Sequence, residues 1–292
     1  MAELLRGKEV AASINEASRT KALQLKAEGI IPTLAILRVG EKESDLSYER
    51  GAMKRCADVG VRTVSIVLPE TVSSDEFYKT LDELNRDAAV HGILMFRPLP
   101  KHLDNERARN AIVPEKDIDG CTDGSLAGVF TNKDLGFPPC TAQAAIEILD
   151  HYGIELKGKN ITLVGRSLVV GKPLAMMLLN RNATVTICHT RTVDLPSITK
   201  RADIIIAAAG QPEMLTTDYF SNGQIIIDVG INWSEAKSKL CGDVLFEDAE
   251  PIAGAITPVP GGVGAVTTSV LVSHVITAAD RTKNTTKSTT RH

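Results

Sequence analysis

The first third of the chain alternates between helical and extended hydrophobic patterns. Residues 6–28 carry apolar positions at helical spacing among charged residues and end at Gly29, which suits a helix C-cap. Short apolar runs then alternate with stretches that predict helices. The pattern predicts helices over 44–59 and from Ser73 onward, and strands over 33–39, 61–68 and 91–96. Strands that alternate with helices predict a parallel sheet in an α/β fold.

The alternation stops at residues 114–139, which contain several glycines and prolines and are predicted to be mostly loop. A predicted helix over 141–152 then leads into a second group of elements. One helix of that group is predicted at 172–180. Its strands are predicted at 161–164, 183–188, 203–209 and 224–229. The second group therefore repeats the α/β character of the first.

The length and composition of the chain fit two globular domains. The chain has 292 residues, of which 43% are hydrophobic and 24% are charged, so it holds enough apolar material for two cores. We place the first domain at residues 1–140 and the second at 141–265. An apolar helix over 266–280 is expected to return to the first domain. The segment 281–292 is rich in Thr and Lys and is expected to be a disordered tail.

Charge and cysteine content argue against several classes of partner and location. The net charge is −3 and the isoelectric point is about 6.1, which argues against nucleic acid or an anionic membrane as a partner. The apolar runs are too short to span a bilayer, and the N-terminus lacks the apolar core of a secretory signal. Five scattered cysteines without C-x-x-C spacing fit free thiols in a reducing cytoplasm. Neither these cysteines nor the six histidines predict a metal site.

A strand, a glycine turn, a helix and a second strand follow one another between Asn160 and Arg191. Gly165 allows a tight turn and close approach of a ligand to the backbone, and Pro173 suits the first turn of a helix. The free N–H groups at such a helix start attract phosphate. The stretch is a variant of the dinucleotide fingerprint, with Ser167 at the usual second glycine. The alternative is an ordinary βαβ crossover that binds no nucleotide.

Motifs from separate parts of the chain carry a family resemblance. They are Pro-Glu-Lys-Asp-Ile-Asp-Gly at 114–120, Pro-Cys-Thr at 139–141, Val-Gly-Arg-Ser at 164–167 with Val-Gly-Lys-Pro at 170–173, Cys-His-Thr-Arg-Thr at 188–192, Asp-Val-Gly-Ile-Asn at 228–232, Gly-Asp-Val at 242–244 and the Pro-Gly-Gly loop within 257–264. In this order they resemble the methylenetetrahydrofolate dehydrogenase/cyclohydrolase family of the FolD type, over residues 1–280. The resemblance implies an N-terminal α/β catalytic domain plus a Rossmann-like dinucleotide-binding domain, with folate in an active-site cleft between them. It also implies a homodimer formed through the Rossmann-like domain.

The resemblance assigns catalytic and substrate-binding residues position by position. Tyr48 matches a residue that orients the folate, and Asp119 matches one that accepts paired hydrogen bonds from the pterin N–H groups. The structural alternative for Tyr48 is a helix tyrosine that packs on the core. The structural alternative for Asp119 is a turn aspartate before glycine, a role that suits Asp117 better. The catalytic set is Tyr48 and Asp119. The substrate-binding set is Tyr48, Phe96, Pro98, Leu99, Asp119, Pro260, Gly261, Gly262, Val263 and Gly264.

A further set of matched residues implies binding of a nicotinamide dinucleotide. The second strand of the nucleotide domain ends at Thr190-Arg191. An acidic residue there would hold the ribose 2′-hydroxyl of NAD, whereas Arg191 accommodates the 2′-phosphate of NADP. We therefore expect NADP, and Asp194 close by keeps NAD open as the alternative. The cofactor-binding set is Gly165, Arg166, Ser167, Gly171, Thr190, Arg191 and Ile231.

Two catalytic positions of the resembling family are not preserved in this chain. The lysine expected four residues after Tyr48 is Ala52, and the glutamine expected in a Gln-Leu-Pro strand end is Phe96. Lys54 lies about 240° around the helix from Tyr48 and therefore points to roughly the opposite face. Arg55 returns to the Tyr48 face, but its guanidinium stays protonated and is a poor proton shuttle.

These departures affect the two reactions of the family unequally. Oxidation of 5,10-methylenetetrahydrofolate chiefly requires alignment of the reacting carbon with the nicotinamide. Hydrolysis of the methenyl product adds water and moves protons, so it requires a positioned acid or base. We therefore predict an NADP-dependent methylenetetrahydrofolate dehydrogenase of one-carbon metabolism with weak or absent cyclohydrolase activity. The alternatives are a bifunctional dehydrogenase/cyclohydrolase and a non-catalytic protein that binds folate and nucleotide.

Overall fold

The computed structural model describes residues 2–235 and 237–289, with side chains described up to residue 283. The described residues form two compact units, each named here after its main sheet. Residues 2–12 and 141–267 form the six-stranded unit. Residues 13–140, together with residues 268–289, form the three-stranded unit.

The elements alternate along the chain as an α/β protein requires. The described helices are α1 (Gly7–Ala27), α2 (Glu43–Val59), α3 (Ser74–Arg86), α4 (Asn105–Asn110), α5 (Asp123–Thr131), α6 (Cys140–His151), α7 (Gly171–Asn180), α8 (Leu195–Thr199), α9 (Phe246–Ala249) and α10 (Thr267–Thr289). The described strands are β1 (Glu3–Leu4), β2 (Thr33–Val39), β3 (Arg62–Leu68), β4 (Gly92–Met95), β5 (Asn160–Val164), β6 (Thr184–Cys188), β7 (Ile204–Ala207), β8 (Ile225–Asp228), β9 (Asn232–Ser234), β10 (Lys239–Cys241) and β11 (Ala255–Ile256). Within this described part, no helix combines the length and apolarity needed to cross a membrane.

The three-stranded unit is built on a parallel sheet of order β3-β2-β4. The central strand β2 is an almost continuous apolar run that is buried along nearly its whole length, as an interior parallel strand requires. Its core includes Leu37 from β2, Met95 from β4, and Phe77 and Leu81 from α3. Because the three strands run in the same direction, their carboxyl ends share one edge of the sheet.

The six-stranded unit has the strand order β1-β11-β8-β7-β5-β6, and all of its neighbouring pairs are parallel. The chain passes from β5 through α7 to the outer strand β6, and then crosses to β7 on the other side of β5. The strand order therefore reverses next to β5, and ligands of open α/β sheets bind at the carboxyl ends beside such a reversal. The predicted α/β fold with a Rossmann-like second sheet is confirmed.

The segment 114–139 differs from the loop that we predicted, because it contains a short 3₁₀ turn and the helix α5. Thr122 caps the start of α5 by accepting a hydrogen bond from the Ser125 backbone N–H at 3.1 Å. Gly124 and Gly128 lower the helix propensity of this segment, which explains why its sequence looks like a loop.

The first residues of the chain also pack differently from our expectation. We placed residues 1–140 in one domain, but residues 2–12 belong to the six-stranded unit. The physical reason is that β1 pairs with β11, with Glu3 opposite Ala255. Each of these strands has only two residues, which is too short for a hydrophobic pattern to reveal.

The C-terminal segment is helical where we expected disorder. Helix α10 continues through Thr289, which covers residues 281–289 of the expected tail. Lys283 forms ion pairs with Glu28 at 2.5 Å and with Asp280 at 3.0 Å, and these contacts hold this part of α10 against the three-stranded unit. Residues 290–292 of the expected tail lie outside the described residues.

Candidate active site

Tyr48 and Phe96 meet at the carboxyl edge of the three-stranded sheet. Tyr48 lies on α2, which follows β2, and its side chain is 40% exposed. Phe96 directly follows β4, the parallel neighbour of β2. The centroids of the two rings are 5.8 Å apart and their planes meet at 84°, so the rings pack edge to face. The Tyr48 hydroxyl is the one polar group that this aromatic pair offers to a ligand.

The positions of the family's lysine and glutamine are both occupied by apolar groups. Ala52 lies one turn after Tyr48 on α2 and is only 1% exposed. Lys54 is exposed, whereas Arg55 is partly buried. The Nε atom of Arg55 is buried and has no hydrogen-bond partner among the described residues. Ala52 and Phe96 therefore provide neither a proton donor nor a proton acceptor at these two positions.

Asp117 and Asp119 share one turn but serve different partners. Asp117 is fully buried and accepts backbone hydrogen bonds from Cys121 at 3.0 Å and from Thr122 at 2.7 Å. Gly120 completes the turn with a φ of +69°, and a Cβ atom there would lie 2.4 Å from neighbouring backbone. Asp119 accepts none of these backbone bonds and stays partly exposed. Asp117 thus organises the turn and leaves Asp119 available to a ligand.

Burial and neighbouring charges shift the pKa values of both Asp119 and Tyr48. Burial and the neighbouring Asp117 raise the pKa of Asp119, whereas the Arg97 guanidinium and a hydrogen bond from the Cys140 thiol lower it. Burial and the charge of Asp119 raise the pKa of Tyr48 in turn. The Tyr48 phenol therefore stays protonated at neutral pH and is able to donate a hydrogen bond.

Three further residues of this pocket are not among those predicted from the sequence. Arg97 follows Phe96 at the end of β4, Cys140 begins α6, and Thr268 forms a side-chain hydrogen bond with Tyr48. Arg97 carries a signal that is visible in the sequence, because it is a charge next to a position matched to a catalytic residue. Cys140 lies in the Pro-Cys-Thr motif at 139–141, but neither that motif nor the sequence around Thr268 indicates a pocket residue, since only tertiary structure brings these side chains to the pocket.

The two other predicted substrate residues at this strand end differ in exposure. Pro98 is exposed. Leu99 is only 5% exposed and belongs to the core of the three-stranded unit, and its backbone N–H donates to the Asn105 side chain at 2.8 Å. Leu99 therefore lies in the core of this unit, and its contact with substrate stays a prediction.

The turn after β5 in the six-stranded unit contains two glycines, at 165 and 171, where neighbouring backbone leaves no room for a side chain. Gly165 has a φ of +138°, and a Cβ atom there would lie 2.1 Å from the Ala208 carbonyl oxygen. A Cβ atom at Gly171 would lie 2.3 Å from the Gly165 carbonyl oxygen. The Ser167 hydroxyl accepts a hydrogen bond from the Val170 N–H at 3.1 Å, while residues 166–169 are exposed. The turn is therefore open to solvent at the start of α7, where its Ser167 hydroxyl and carbonyl groups accept the first N–H groups of the helix.

Arg191 lies in the turn beside this glycine turn. Val164 at the end of β5 is opposite Cys188 at the end of β6, so the turns that follow the two strands are neighbours. Thr190 and Arg191 are exposed, and the Arg191 guanidinium makes no hydrogen bond or ion pair with other described side chains. Asp194 caps α8 by accepting from the Ser197 N–H at 3.4 Å, and hydrogen bonds from the Ser197 side chain and backbone lower the pKa of Asp194. The nearby acid is thus committed to a cap, while the arginine is free for an anion.

Ile231 and the Pro-Gly-Gly loop line a cavity of about 300 Å³ within the six-stranded unit. Ile231 is 59% exposed, and a Cβ atom at Gly264 would lie 2.6 Å from its Cδ1 atom. All five predicted substrate-binding residues of the loop, 260–264, line this cavity. The cavity is lined by Asp228, Val229, Gly230, Ile231, Leu240, Pro258, Val259, Pro260, Gly261, Gly262, Val263, Gly264 and Ala265.

Two buried carboxylates fix the backbone beneath this cavity. Asp228 accepts backbone N–H bonds from Gly230 at 2.9 Å and Val244 at 2.9 Å. Burial raises the pKa of Asp228 to about 7, although these backbone hydrogen bonds act to lower it. Asp243 accepts from the Gln211 N–H at 2.9 Å and from further donors on the same loop. These residues explain the matched Asp-Val-Gly and Gly-Asp-Val motifs as structural parts of the unit.

Comparison with known proteins agrees with this arrangement along nearly the whole chain. Residues 5–119 match the tetrahydrofolate dehydrogenase/cyclohydrolase catalytic domain, and residues 139–283 match the NAD(P)-binding domain of the same family. The bifunctional protein FolD of Clostridium botulinum is 48% identical over 281 residues, which cover 96% of this chain and 99% of that protein.

Solved structures give the same result. The bifunctional FolD enzyme of Campylobacter jejuni is 37% identical with a TM-score of 0.92, and the match covers 96% of this chain and 99% of that one. The Trypanosoma brucei FolD enzyme, solved with NADP cofactor and an inhibitor, is 34% identical with a TM-score of 0.87, over 96% of this chain and 98% of that one. The chain therefore belongs to the tetrahydrofolate dehydrogenase/cyclohydrolase family, with a catalytic domain and an NAD(P)-binding domain.

Proposed function

We propose that the chain is an NADP-dependent 5,10-methylenetetrahydrofolate dehydrogenase whose cyclohydrolase activity is weak or absent. One observation carries the proposal: the pocket keeps Tyr48 and Asp119 but has apolar groups at Ala52 and Phe96. The kept residues are those that hold and orient a pterin. The replaced residues are those that the family places beside them for proton transfer.

Folate binding rests on the polar groups of the pocket. The Asp119 carboxylate can accept two hydrogen bonds from the adjacent N–H groups of a pterin, a pairing that fixes the orientation of the ring. The protonated Tyr48 hydroxyl donates a further hydrogen bond, and the Tyr48 and Phe96 rings offer an apolar wall. Substrate held in this way is oriented without any proton transfer from the chain.

Oxidation of the bound folate makes a limited demand on these residues. The bound nicotinamide supplies the hydride acceptor, and the ring nitrogens of the folate stabilise the cation that forms. The chain contributes alignment, which alone lowers barriers by several kcal/mol, on the order of 7–11 in well-oriented systems. Hydrolysis of the methenyl product differs, because a side chain must take a proton from water. Ala52 and Phe96 have no such group, and a guanidinium is a poor proton acceptor in general.

The choice of NADP over NAD follows from the turn after β6. The exposed Arg191 guanidinium suits the doubly charged 2′-phosphate of NADP. Asp194 is the acid nearest in sequence that would hold a ribose 2′-hydroxyl, but its carboxylate caps α8. The NADP in the T. brucei relative supports the same choice.

A bifunctional dehydrogenase/cyclohydrolase is the second candidate. The C. botulinum and C. jejuni relatives are both named bifunctional, and the first shares 48% identity with this chain. A bifunctional enzyme on this chain requires a proton-transfer group other than those at positions 52 and 96. The two candidates therefore differ in one measurable activity.

One spectrophotometric assay tests these candidates. The purified protein is incubated with 5,10-methylenetetrahydrofolate and NADP or NAD, and reduced nicotinamide and methenyltetrahydrofolate are followed together. We expect reduced nicotinamide to form faster with NADP, while methenyl product persists as long as in a protein-free control. Methenyl decay well above that control supports the bifunctional enzyme. Absence of reduced nicotinamide with both cofactors contradicts both candidates and supports a non-catalytic binding protein.

We also infer that two copies of the chain associate through the six-stranded unit. Strand β6 is an edge of that sheet, and its Ile187 is 39% exposed. An unpaired edge with an exposed apolar side chain favours pairing with a second copy. Light scattering is expected to give twice the chain mass of 31.3 kDa, and a single-chain mass at micromolar concentration contradicts the dimer.

A further inference from the structure

A cavity of about 730 Å³ opens at the amino edge of the three-stranded sheet. Thr33 begins β2 and pairs with Arg62, the first residue of β3, and both residues line the cavity. His91 precedes β4, and its backbone N–H donates to the Thr33 carbonyl oxygen at 2.9 Å. Strand β2 has seven residues, so this edge lies about 20 Å from the carboxyl edge, where Tyr48 and Phe96 meet. The cavity is therefore separate from the candidate active site.

His91 presents an unpaired N–H group to this cavity. The residue is only 7% exposed, and it lines the cavity. Its Nδ1 atom accepts a hydrogen bond from the Thr33 backbone N–H at 3.2 Å, so the neutral ring carries its proton on Nε2. Burial and the charges of Lys116 and Arg62 lower the pKa of His91, which keeps the ring neutral at pH 7. Among the described residues, none accepts a hydrogen bond from the Nε2–H group, and solvent reaches this atom. A buried ring with a fixed tautomer thus holds a donor that a ligand can use.

Two cations line the same cavity. The Arg62 side chain is exposed, and its guanidinium makes no hydrogen bond or ion pair with the described residues. The Lys116 ammonium donates to the Leu84 and Asp87 carbonyl oxygens at 2.9 and 2.7 Å, which fix it in place and leave one N–H group for a ligand. No acidic side chain is among the described residues that line the cavity. The nearby Asp87 carboxylate accepts instead from the Ala89 backbone N–H at 2.8 Å. The cavity therefore has an excess of positive charge that an anion can balance.

We propose that this cavity is a binding site for a small organic phosphate monoester. The phosphate group of such a molecule carries close to two negative charges above pH 7 and offers three acceptor oxygens. These features match the two cations and the neutral His91 donor, whereas a single carboxylate balances only one of the cations. Ile30 and Ile31 also line the cavity and offer an apolar wall to the organic part, and Ile31 is 48% exposed. The volume falls in the range of about 300–1,000 Å³ that is typical of small-molecule pockets. The site uses none of the residues assigned to the folate reaction.

Histidine NMR tests the proposal at the site itself. The full chain is labelled with ¹⁵N-histidine, and the Nε2 resonance of His91 is assigned by its loss in His91→Asn, whose amide oxygen can still accept from the Thr33 N–H. Phenyl phosphate is then titrated at pH 7.5 against this resonance. We expect a shift that saturates in the wild type and a dissociation constant about tenfold or more higher in Arg62→Gln. Arg62→Lys keeps a cation and is expected to recover most of the lost affinity. Lys79→Gln is the matched control with wild-type affinity, because Lys79 is 77% exposed and lies near the start of α3, which follows the carboxyl end of β3.

Benzoate and inorganic phosphate provide the two comparison ligands. Benzoate keeps the benzene ring but carries a single charge, whereas inorganic phosphate keeps the charge but lacks the ring. We expect each to bind about tenfold or more weakly than phenyl phosphate. Equal affinity for benzoate contradicts recognition of a phosphate group, and equal affinity for inorganic phosphate contradicts a site for an organic molecule.

Two further results overturn the site as a whole. One is an unshifted His91 resonance with phenyl phosphate at concentrations up to about 10 mM. The other is an equal effect of Arg62→Gln and Lys79→Gln on affinity, which reduces the role of Arg62 to net charge. Thermal unfolding of each variant identifies a folding defect, and we expect none in Arg62→Gln because the Arg62 guanidinium has no partner among the described residues.

Discussion

The ring of Phe96 packs edge to face against the ring of Tyr48, with 5.8 Å between centroids and 84° between planes. This contact fills the place where the family has a glutamine that can hydrogen-bond. Ala52, one turn along α2 from Tyr48, is buried and carries only a methyl group. The positions of the family's lysine and glutamine are therefore both apolar, while Thr268 hydrogen-bonds Tyr48 and Cys140 hydrogen-bonds Asp119.

Restoring the two missing polar side chains is expected to create cyclohydrolase activity. The double variant Ala52→Lys/Phe96→Gln places an amine one turn from Tyr48 and an amide at the end of β4. A positioned acid or base contributes roughly 10²–10⁴-fold, so we expect methenyl hydrolysis at least about tenfold above wild type. The measurement is decay of methenyltetrahydrofolate, with dehydrogenase activity followed in the same samples.

The matched control for this gain is Ala57→Lys. Ala57 is exposed on the same helix but on the face opposite Tyr48, so its lysine adds charge without reaching the pocket. We expect no new hydrolysis from this control and less from either single variant than from the double variant. A wild-type chain that already hydrolyses methenyltetrahydrofolate as fast as the double variant contradicts the explanation by Ala52 and Phe96.

Neutralising the two aspartates of one turn is expected to have different consequences. Asp119→Asn removes one of the two acceptors offered to the pterin N–H groups, and charged hydrogen bonds are worth about 1.5–3 kcal/mol each. We expect folate affinity to fall about 100-fold with little change in the free energy of unfolding. Asp117→Asn disrupts the hydrogen bonds from the Cys121 and Thr122 backbones, so we expect a loss of about 1–3 kcal/mol in stability.

Calorimetric folate titration and urea unfolding, applied to both variants, distinguish these roles. The expected pattern is a binding defect in Asp119→Asn and a stability defect in Asp117→Asn. The reverse pattern, or equal destabilisation by both substitutions, contradicts the assignment of Asp119 to the ligand and Asp117 to the turn.

The sequence predicted those parts of the fold that local patterns determine. The alternation of apolar runs and helical periodicity indicated both parallel sheets. The glycine turn after β5 was predicted from Gly165 and Gly171, where an added Cβ atom would lie only 2.1 and 2.3 Å from backbone carbonyl oxygens. Helix α5 was missed because two glycines conceal it, and β1 because a two-residue strand has no periodicity. The helix α10 continues through Thr289, where we predicted disorder, and the long-range ion pairs of Lys283 are invisible in the sequence.

The candidate site shows the same division between local and tertiary information. Tyr48, Asp119 and the absences at Ala52 and Phe96 are matters of motif and spacing, so the sequence was sufficient to name them. The roles of Arg97 and Cys140 depend on which side chains meet across β4, α6 and the turn at Asp119. Contacts of this kind form between residues that are far apart in the chain, and a single sequence does not reveal them.

Reversing the charge of Arg191 is expected to change cofactor preference. Arg191→Glu removes the cation suited to a 2′-phosphate and introduces an acid suited to a ribose hydroxyl. We expect NADP affinity to fall about 100-fold, with NAD affinity unchanged or improved. Fluorescence titration with the reduced forms of both cofactors measures the ratio directly.

Lys157→Glu provides the matched charge reversal for this test. Lys157 is exposed and precedes β5, at the amino edge of the sheet, whereas Arg191 lies beyond its carboxyl edge. We expect Lys157→Glu to retain the wild-type ratio of NADP to NAD affinity. An equal loss of NADP binding in both variants indicates an effect of net charge and contradicts a specific role for Arg191.

His274 of α10 holds the turn that carries Asp119. Its Nδ1–H donates to the Ile118 carbonyl oxygen at 2.8 Å, and its ring lies 4.9 Å from that of Phe137. Burial lowers the pKa of His274 to about 4, so the neutral imidazole is the form that the folded chain accommodates. Since its ordinary value is about 6.5, the unfolded chain binds a proton at His274 more readily than the folded chain does.

Acidification is therefore expected to destabilise the chain through His274. The stability that depends on the neutral ring is fully present above pH 6.5 and is lost progressively as pH falls toward 4, by about 2–3 kcal/mol at pH 4.5. His274→Gln can still donate to Ile118 but does not titrate, so its deficit relative to wild type should shrink as pH falls. Urea unfolding of both proteins between pH 7.5 and 4.5 measures this difference, in which all other titrating groups cancel. Parallel pH dependences for the two proteins contradict a buried neutral His274.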